Sequence, residues 1–162
     1  MAGDEVIFKA ALSAMQRLCS RREYCTGDIQ KRLSKYNLDP EQMHLISKSL
    51  GKDGFVDDLR FARAFVRDKT RLSGWGAKKI AWTLKGKGVA DDIIKESLNE
   101  IPSEGEADRL ELILMTKLKS MKKATESCKL RASLIRFALS RGFGYEHSVG
   151  VVNKIVANFV EE

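Results

Sequence analysis

The chain has 162 residues, of which 43% are apolar and 31% charged. That length suits one domain or a few small units in a row, and the composition is too apolar for general disorder. Its 29 basic and 22 acidic residues leave a net charge of +7, which favours an anionic partner: nucleic acid, an acidic protein surface or anionic lipid.

Residue types narrow the classes further. No run approaches the ~20 apolar residues of a membrane helix. Met1 to Lys9 carries two acids and no apolar core, unlike a secretory signal. Two histidines and three cysteines exclude most His- or Cys-rich metal sites. Cys19, Cys25 and Cys128 cannot all pair within the chain, and none stands in a C-x-x-C. They read as reduced thiols of a cytosolic protein, the first two half buried. Arg21 and Arg22 lie near both and, in a reactive-thiol reading, would favour the thiolate.

The elements, in chain order, are nine helices: 5–21, 26–36, 40–50, 57–72, 76–86, 90–100, 104–121, 126–140 and 145–160. Apolar spacing carries them. Ile29 and Leu33 sit four apart, as do Ile80 and Leu84. Leu59, Ala62 and Val66 follow i, i+3, i+7, and Leu110, Ile113, Leu114, Leu118 and Met121 extend the same pattern over three turns. Asp39-Pro40-Glu41-Gln42 reads as an N-cap, a first-turn proline and a Gln reaching back to the cap. Ser103-Glu104-Gly105-Glu106 reads as a capping box after Pro102 has ended the preceding helix.

The second helices repeat. Ile29-x3-Leu33-x3-Asn37-Leu38, Ile80-x3-Leu84-x3-Gly88-Val89 and Leu134-x3-Ala138-x3-Gly142-Phe143 share one pattern, spaced by 51 and then 54 residues. Asn37, Gly88 and Gly142 are types that tolerate the left-handed conformation just past a helix. Leu50, Ile101 and Ile155 each follow thirteen residues later. The reading is an all-α chain of three tandem three-helix repeats, 1–56, 57–103 and 104–162, stacked into an elongated, curved array.

Positive charge recurs around the first-to-second-helix junction of each repeat. Arg17 to Lys35 holds six basic residues against two acids, Arg60 to Lys87 nine against one, and Lys117 to Arg141 eight against one. The acids gather at joints and third helices. A basic stripe of that kind suits a polyanion or an acidic filament better than a compact ligand. Its expected members are Arg67, Lys69, Arg71, Lys78, Lys79, Lys85 and Lys87 in the second repeat, and Lys122, Lys123, Lys129, Arg131, Arg136 and Arg141 in the third. Trp75, in the loop Ser73-Gly74-Trp75-Gly76, either stacks on a base or fills a protein pocket, or else staples the next helix. Trp82, on the helix of Ile80 and Leu84, reads as core or repeat interface.

Motifs for catalysis are missing from the sequence. It has no Walker lysine loop, G-x-S-x-G elbow, H-E-x-x-H or zinc-finger spacing. His44 and His147 are isolated. Asp57-Asp58 and Asp91-Asp92 could hold a hydrated Mg2+ as in a nuclease, but each pair opens a helix, where acids offset the dipole. These features describe a binding protein that is not an enzyme and needs no cofactor.

The run from Phe55 through Val56-Asp57-Asp58-Leu59-Arg60-Phe61-Ala62-Arg63-Ala64-Phe65-Val66-Arg67-Asp68 to Lys69 resembles the RecX family of bacterial recombination regulators. So do Trp75-Gly76-Ala77-Lys78-Lys79-Ile80, Leu84-Lys85-Gly86-Lys87-Gly88-Val89 and Arg136-Phe137-Ala138-Leu139-Ser140-Arg141-Gly142-Phe143. Ala77 stands where many members carry proline, and the first repeat matches least. The resemblance implies tandem three-helix repeats and binding to the RecA recombinase filament on single-stranded DNA. It also implies suppression of ATP hydrolysis and strand exchange, some DNA binding by the regulator itself, and a part in recombination and DNA repair. The expected partners are that filament and single-stranded DNA, with double-stranded DNA left open. The chain is expected to be a cytoplasmic monomer with no membrane contact. The rival reading is a helical module that acts on DNA directly.

Overall fold

A computed structural model describes residues 2–121 and 126–160 of the chain. Nine α-helices occur among the described residues: α1 (Ala2–Cys19), α2 (Thr26–Leu33), α3 (Pro40–Lys52), α4 (Asp58–Arg71), α5 (Ala77–Gly86), α6 (Asp91–Ser97), α7 (Glu106–Lys119), α8 (Ser127–Ser140) and α9 (Tyr145–Val160). A single 3-10 turn, Leu98–Glu100, follows α6 in place of the helix expected to run on to residue 100. The chain divides into two compact units, residues 1–65 with 83–97 and residues 66–82 with 98–162.

Each unit has its own apolar core. In the first, Ala11 and Met15 of α1, Ile29 and Leu33 of α2, and Ile46 and Leu50 of α3 close on one another together with Tyr24 and Val56. In the second, Leu110 and Leu114 of α7 meet Leu130, Leu134 and Ala138 of α8 and Val151, Val152, Ile155 and Val156 of α9. The i, i+4 pairs of the repeat, Ile29/Leu33, Ile80/Leu84 and Leu134/Ala138, are all fully buried. Burying each leucine or isoleucine stabilises the fold by about 1.5–3 kcal/mol.

The helix ends are only partly as the sequence suggests. At α3 the reciprocal cap is made: Gln42 N–H donates to Asp39 Oδ1 at 2.8 Å, and Asp39 N–H to Gln42 Oε1 at 3.0 Å. Gly88 and Gly142 have φ of 81° and 92°. Beyond them, Val89 N–H donates to the Leu84 carbonyl and Phe143 N–H to that of Ala138, which closes the last turn and buries both side chains. Asn37 is not left-handed. Helix α2 has already ended at Leu33, where N–H groups of Lys35 and Tyr36 donate three residues back, so no positive φ is required. The left-handed closure of the first repeat stands instead at Gly54, with φ of 76° and Phe55 N–H on the Leu50 carbonyl. The Ser103 capping box is not formed either. Gly105, at φ 75°, is the N-cap of α7 without a side-chain bond, and Arg109 reaches back to the carbonyls of Glu104 and Pro102.

One kind of junction recurs in both units. In the first, Thr26 N–H donates to Asp58 Oδ1 at 2.7 Å, and the Cys25 thiol lies 3.8 Å from the Lys87 carbonyl. A Cβ on Gly27 would collide with that carbonyl oxygen. In the second, Gly76 N–H donates to the Arg141 carbonyl at 2.7 Å and Lys78 N–H to that of Gly142 at 3.1 Å. A Cβ on Gly76 would stand 2.5 Å from the Gly142 oxygen. Cys25 to Gly76 is 51 residues and Lys87 to Arg141 is 54, so the sequence repeat is also a repeat of contacts. Asp57 and Asp58 are spent on such bonds: Asp57 accepts from the Arg60 N–H at 3.0 Å and Asp58 from Thr26.

Two of the three thiols are held back by burial. Cys25 is buried, Cys19 half-buried and Cys128 exposed. Burial pushes the Cys25 thiol up to about 11 and also raises that of Cys19. Desolvation therefore outweighs any thiolate support from Arg21 and Arg22.

Three outcomes follow. Gly27→Ala should lower stability by about 2–3 kcal/mol, because backbone must move to admit the methyl. Gly86→Ala, with nothing within 4 Å of its Cβ, should be neutral or stabilising by up to about 1 kcal/mol in denaturant titrations. Above the ordinary thiol pKa the unfolded chain loses the Cys25 proton while the folded chain keeps it until about 11. Stability should therefore fall over that alkaline window, and a melting series of Cys25→Ala should fall less steeply.

Candidate anion-binding surface

The second unit gathers basic side chains at the loop between α4 and α5 and in a groove beside it. The loop Ser73–Gly76 joins α4 to α5 and is pinned by the Gly76–Arg141 bond and by Gly74, whose missing Cβ leaves room for Ile113. Trp75 N–H donates to the Lys69 carbonyl. The half-buried Trp75 ring carries the Lys69 ammonium at 4.7 Å and the Lys79 ammonium at 4.3 Å from its centroid. Each such contact contributes about 0.5–1 kcal/mol. The loop thus gathers Lys69, Trp75 and Lys79 into one cluster.

Beside the loop opens a groove of about 750 Å3 lined by residues of α4, α7 and α8. Its floor holds Leu112, Ile113 and Phe137, and four cations line it: Arg71, Arg109, Lys117 and Arg141. No carboxylate is among the lining residues. Lys117 Nζ and the Arg141 guanidinium lie 5.4 and 5.0 Å from the Phe137 centroid. Leu72 and Leu112 are 74% and 70% exposed. Such a surface can take a negatively charged partner that also offers apolar groups.

The remaining expected residues are dispersed. Arg67 is paired with Glu100 at 3.2 Å, Lys85 with Asp91 at 3.4 Å, Lys87 with Asp28 at 3.1 Å and Lys129 with Glu126 at 3.2 Å. Lys78, Arg131 and Arg136 are exposed and make no ion pair among the described residues. Lys122 and Lys123 lie outside the described residues.

Trp82 corrects the sequence reading: it is 79% exposed, neither core nor interface. At 100° per residue it stands two positions from both Ile80 and Leu84, hence on the opposite side of α5. It lies one turn from Lys78, so the two share a face. Arg109 is missed by counting charge in windows, and Lys117, which opens the basic window Lys117 to Arg141, is not among the expected members of the stripe. Arg109 is surrounded in sequence by Glu104, Glu106, Asp108 and Glu111, and only the fold brings it to the cations of α4 and α8. Among the described residues no group of three or more His, Cys, Asp or Glu could hold a metal ion. No helix of the described residues is long and apolar enough to cross a membrane.

Comparison with known proteins agrees with this architecture. Residues 57–98, which contain α4 to α6, match the family model described as RecX, second three-helix domain. The crystal structure of RecX from Lactobacillus salivarius superposes with a TM-score of 0.74 at 16% identity, over all of both chains. A second crystal structure of regulatory protein RecX gives 0.80 at 19% identity, covering 94% of this chain and 73% of that one. The fold is therefore the repeated three-helix architecture of those structures. Regulatory protein RecX of Clostridium botulinum (strain Eklund 17B) is 29% identical over 157 residues, 96% of this chain and 73% of that protein. That of Chromohalobacter salexigens is 36% identical over 132 residues, 80% of this chain and 82% of that protein. On these similarities the chain belongs to the RecX family of regulatory proteins.

Proposed function

We propose that the chain regulates homologous recombination by binding the RecA-type recombinase filament on single-stranded DNA and slowing its ATP hydrolysis and strand exchange. Family membership supports the regulatory role. The observation that carries the choice of partner is the groove of Arg71, Arg109, Lys117 and Arg141 over an apolar floor without a carboxylate. Phosphates alone would be served by charge. Exposed Leu72 and Leu112 among its lining residues favour a partner with an acidic and partly apolar protein surface. Lys78 and Trp82 offer a second contact, since an exposed tryptophan beside a lysine is the kind of anchor that dominates interfaces. Weak contacts from successive repeats add through effective concentration, so no single one need be strong. The regulator acts as a cytoplasmic monomer and performs no chemistry of its own.

Direct action on DNA is the second reading, favoured by exposed Arg131 and Arg136, which lack ion-pair partners among the described residues. Salt separates the two. Binding to DNA alone should fall log-linearly with salt and need no recombinase. Filament binding should require ATP-bound recombinase and persist at salt that abolishes DNA binding.

The decisive measurement is ATP hydrolysis by the cognate recombinase on single-stranded DNA, with the regulator titrated far below the recombinase. Inhibition at substoichiometric amounts is expected; inhibition only when the strand is saturated would favour the DNA reading. Lys78→Glu, and separately Trp82→Ala, should each raise the concentration needed for half-inhibition roughly tenfold with little change in melting temperature. Folded variants that inhibit like the parent would remove these residues from the contact.

A further inference from the structure

The first unit holds a cationic pocket that the filament reading leaves unused. It measures about 280 Å3 and is lined by Arg22, Tyr24, Asp28, Lys31, Arg32, Lys35 and Lys87. We propose that Arg22, Lys31, Arg32 and Lys35, arranged around Tyr24, form a phosphate-binding site.

Three observations support it. First, both guanidiniums are held in place without a carboxylate. Arg22 lies over the Tyr24 ring at 4.6 Å and Arg32 at 4.9 Å from the centroid, and Tyr24 is itself fixed in the core of its unit, 6% exposed. Stacked guanidiniums keep their N–H edges free for bidentate recognition of phosphate oxygens. Second, the pocket's acid is already satisfied. Lys87 Nζ sits 3.1 and 3.4 Å from the two Asp28 oxygens. That leaves Arg22, Lys31, Arg32 and Lys35 with no ion pair among the described residues. Four cations around one small concavity repel one another, and a bound anion removes that cost. Third, Tyr24 lines the pocket, and its hydroxyl makes no hydrogen bond among the described residues.

The phosphate can come from two sources, the backbone of single-stranded DNA or a free phosphate such as that of a nucleotide. Neither requires a recombinase, so the site stands or falls apart from the filament reading.

The test uses the full chain and a fluorescein-labelled oligothymidylate, with anisotropy read across a salt series. Arg22→Gln with Arg32→Gln should weaken binding roughly tenfold at about 50 mM salt and reduce the log–log salt slope by about 1.4, at about 0.7 per lost phosphate contact on a single strand. Lys31→Gln with Lys35→Gln should act in the same direction, and these exposed lysines make no hydrogen bond or ion pair among the described residues, so this pair serves if the arginine pair fails to fold. Lys48→Gln with Lys52→Gln on α3, outside the pocket, should leave the slope unchanged. Loss of millimolar inorganic phosphate binding in the pocket variants, with DNA affinity intact, would assign the site to a free phosphate. Unchanged affinity and slope in both pocket pairs, with no phosphate binding by the parent chain, would overturn the proposal. Displacement of a fluorescent polyglutamate but not of the oligonucleotide would overturn it in favour of an acidic peptide.

Discussion

A backbone carbonyl pressed against a glycine governs where the functional side chains of this protein stand. In the first unit the Lys87 carbonyl occupies the space a side chain at Gly27 would take. In the second the Gly142 carbonyl does the same to Gly76. Hydrogen bonds to Asp58 in one case and from Gly76 and Lys78 in the other fix the approach. Trp75, Lys78 and Lys79 are carried into place by the second of these junctions, and the Lys87 ammonium reaches Asp28 from the first. Neither junction has slack, since the atoms in contact are main chain on both sides.

Charge is distributed with a similar economy. Arg60, Arg63, Arg67, Lys85 and Lys87 are each engaged by a carboxylate from another element or from beyond their own helix. Exposed pairs of this kind contribute little to stability individually. Their larger effect is to remove those cations from the pool available to an anionic partner. The uncompensated charge concentrates on Arg71, Arg109, Lys117 and Arg141 in one unit and on Arg22, Lys31, Arg32 and Lys35 in the other.

The helices themselves were legible in the sequence, because amphipathic spacing and Gly, Pro and Asp punctuation act locally. Leu84 at i+4 from Ile80, the Asp39–Gln42 cap and the turns at Gly88 and Gly142 required nothing beyond a few neighbouring residues. The capping box at Ser103 failed because α7 begins at Glu106, which makes Gly105, a residue with no side chain to accept from the backbone, its N-cap. Asn37 failed because the helix stopped a turn earlier. Trp82 was within reach of helical-wheel arithmetic, yet hydrophobicity drew it to the core; its angle to Ile80 places it in solvent. The groove was not legible at all, since Arg109 sits in an acidic stretch and meets Arg71 and Arg141 only after the chain has folded.

The three cysteines give this chain a built-in asymmetry of reactivity. Cys25 is sealed beneath the Lys87 carbonyl and Cys19 is half-covered, while Cys128 stands in the open on the first turn of α8. A maleimide dye near neutral pH will therefore settle on Cys128, one helical turn from Arg131. The unaltered protein thus provides a single-site fluorescent reporter on the very helix whose arginines face solvent. A partner arriving at that helix can be watched directly, without an engineered residue.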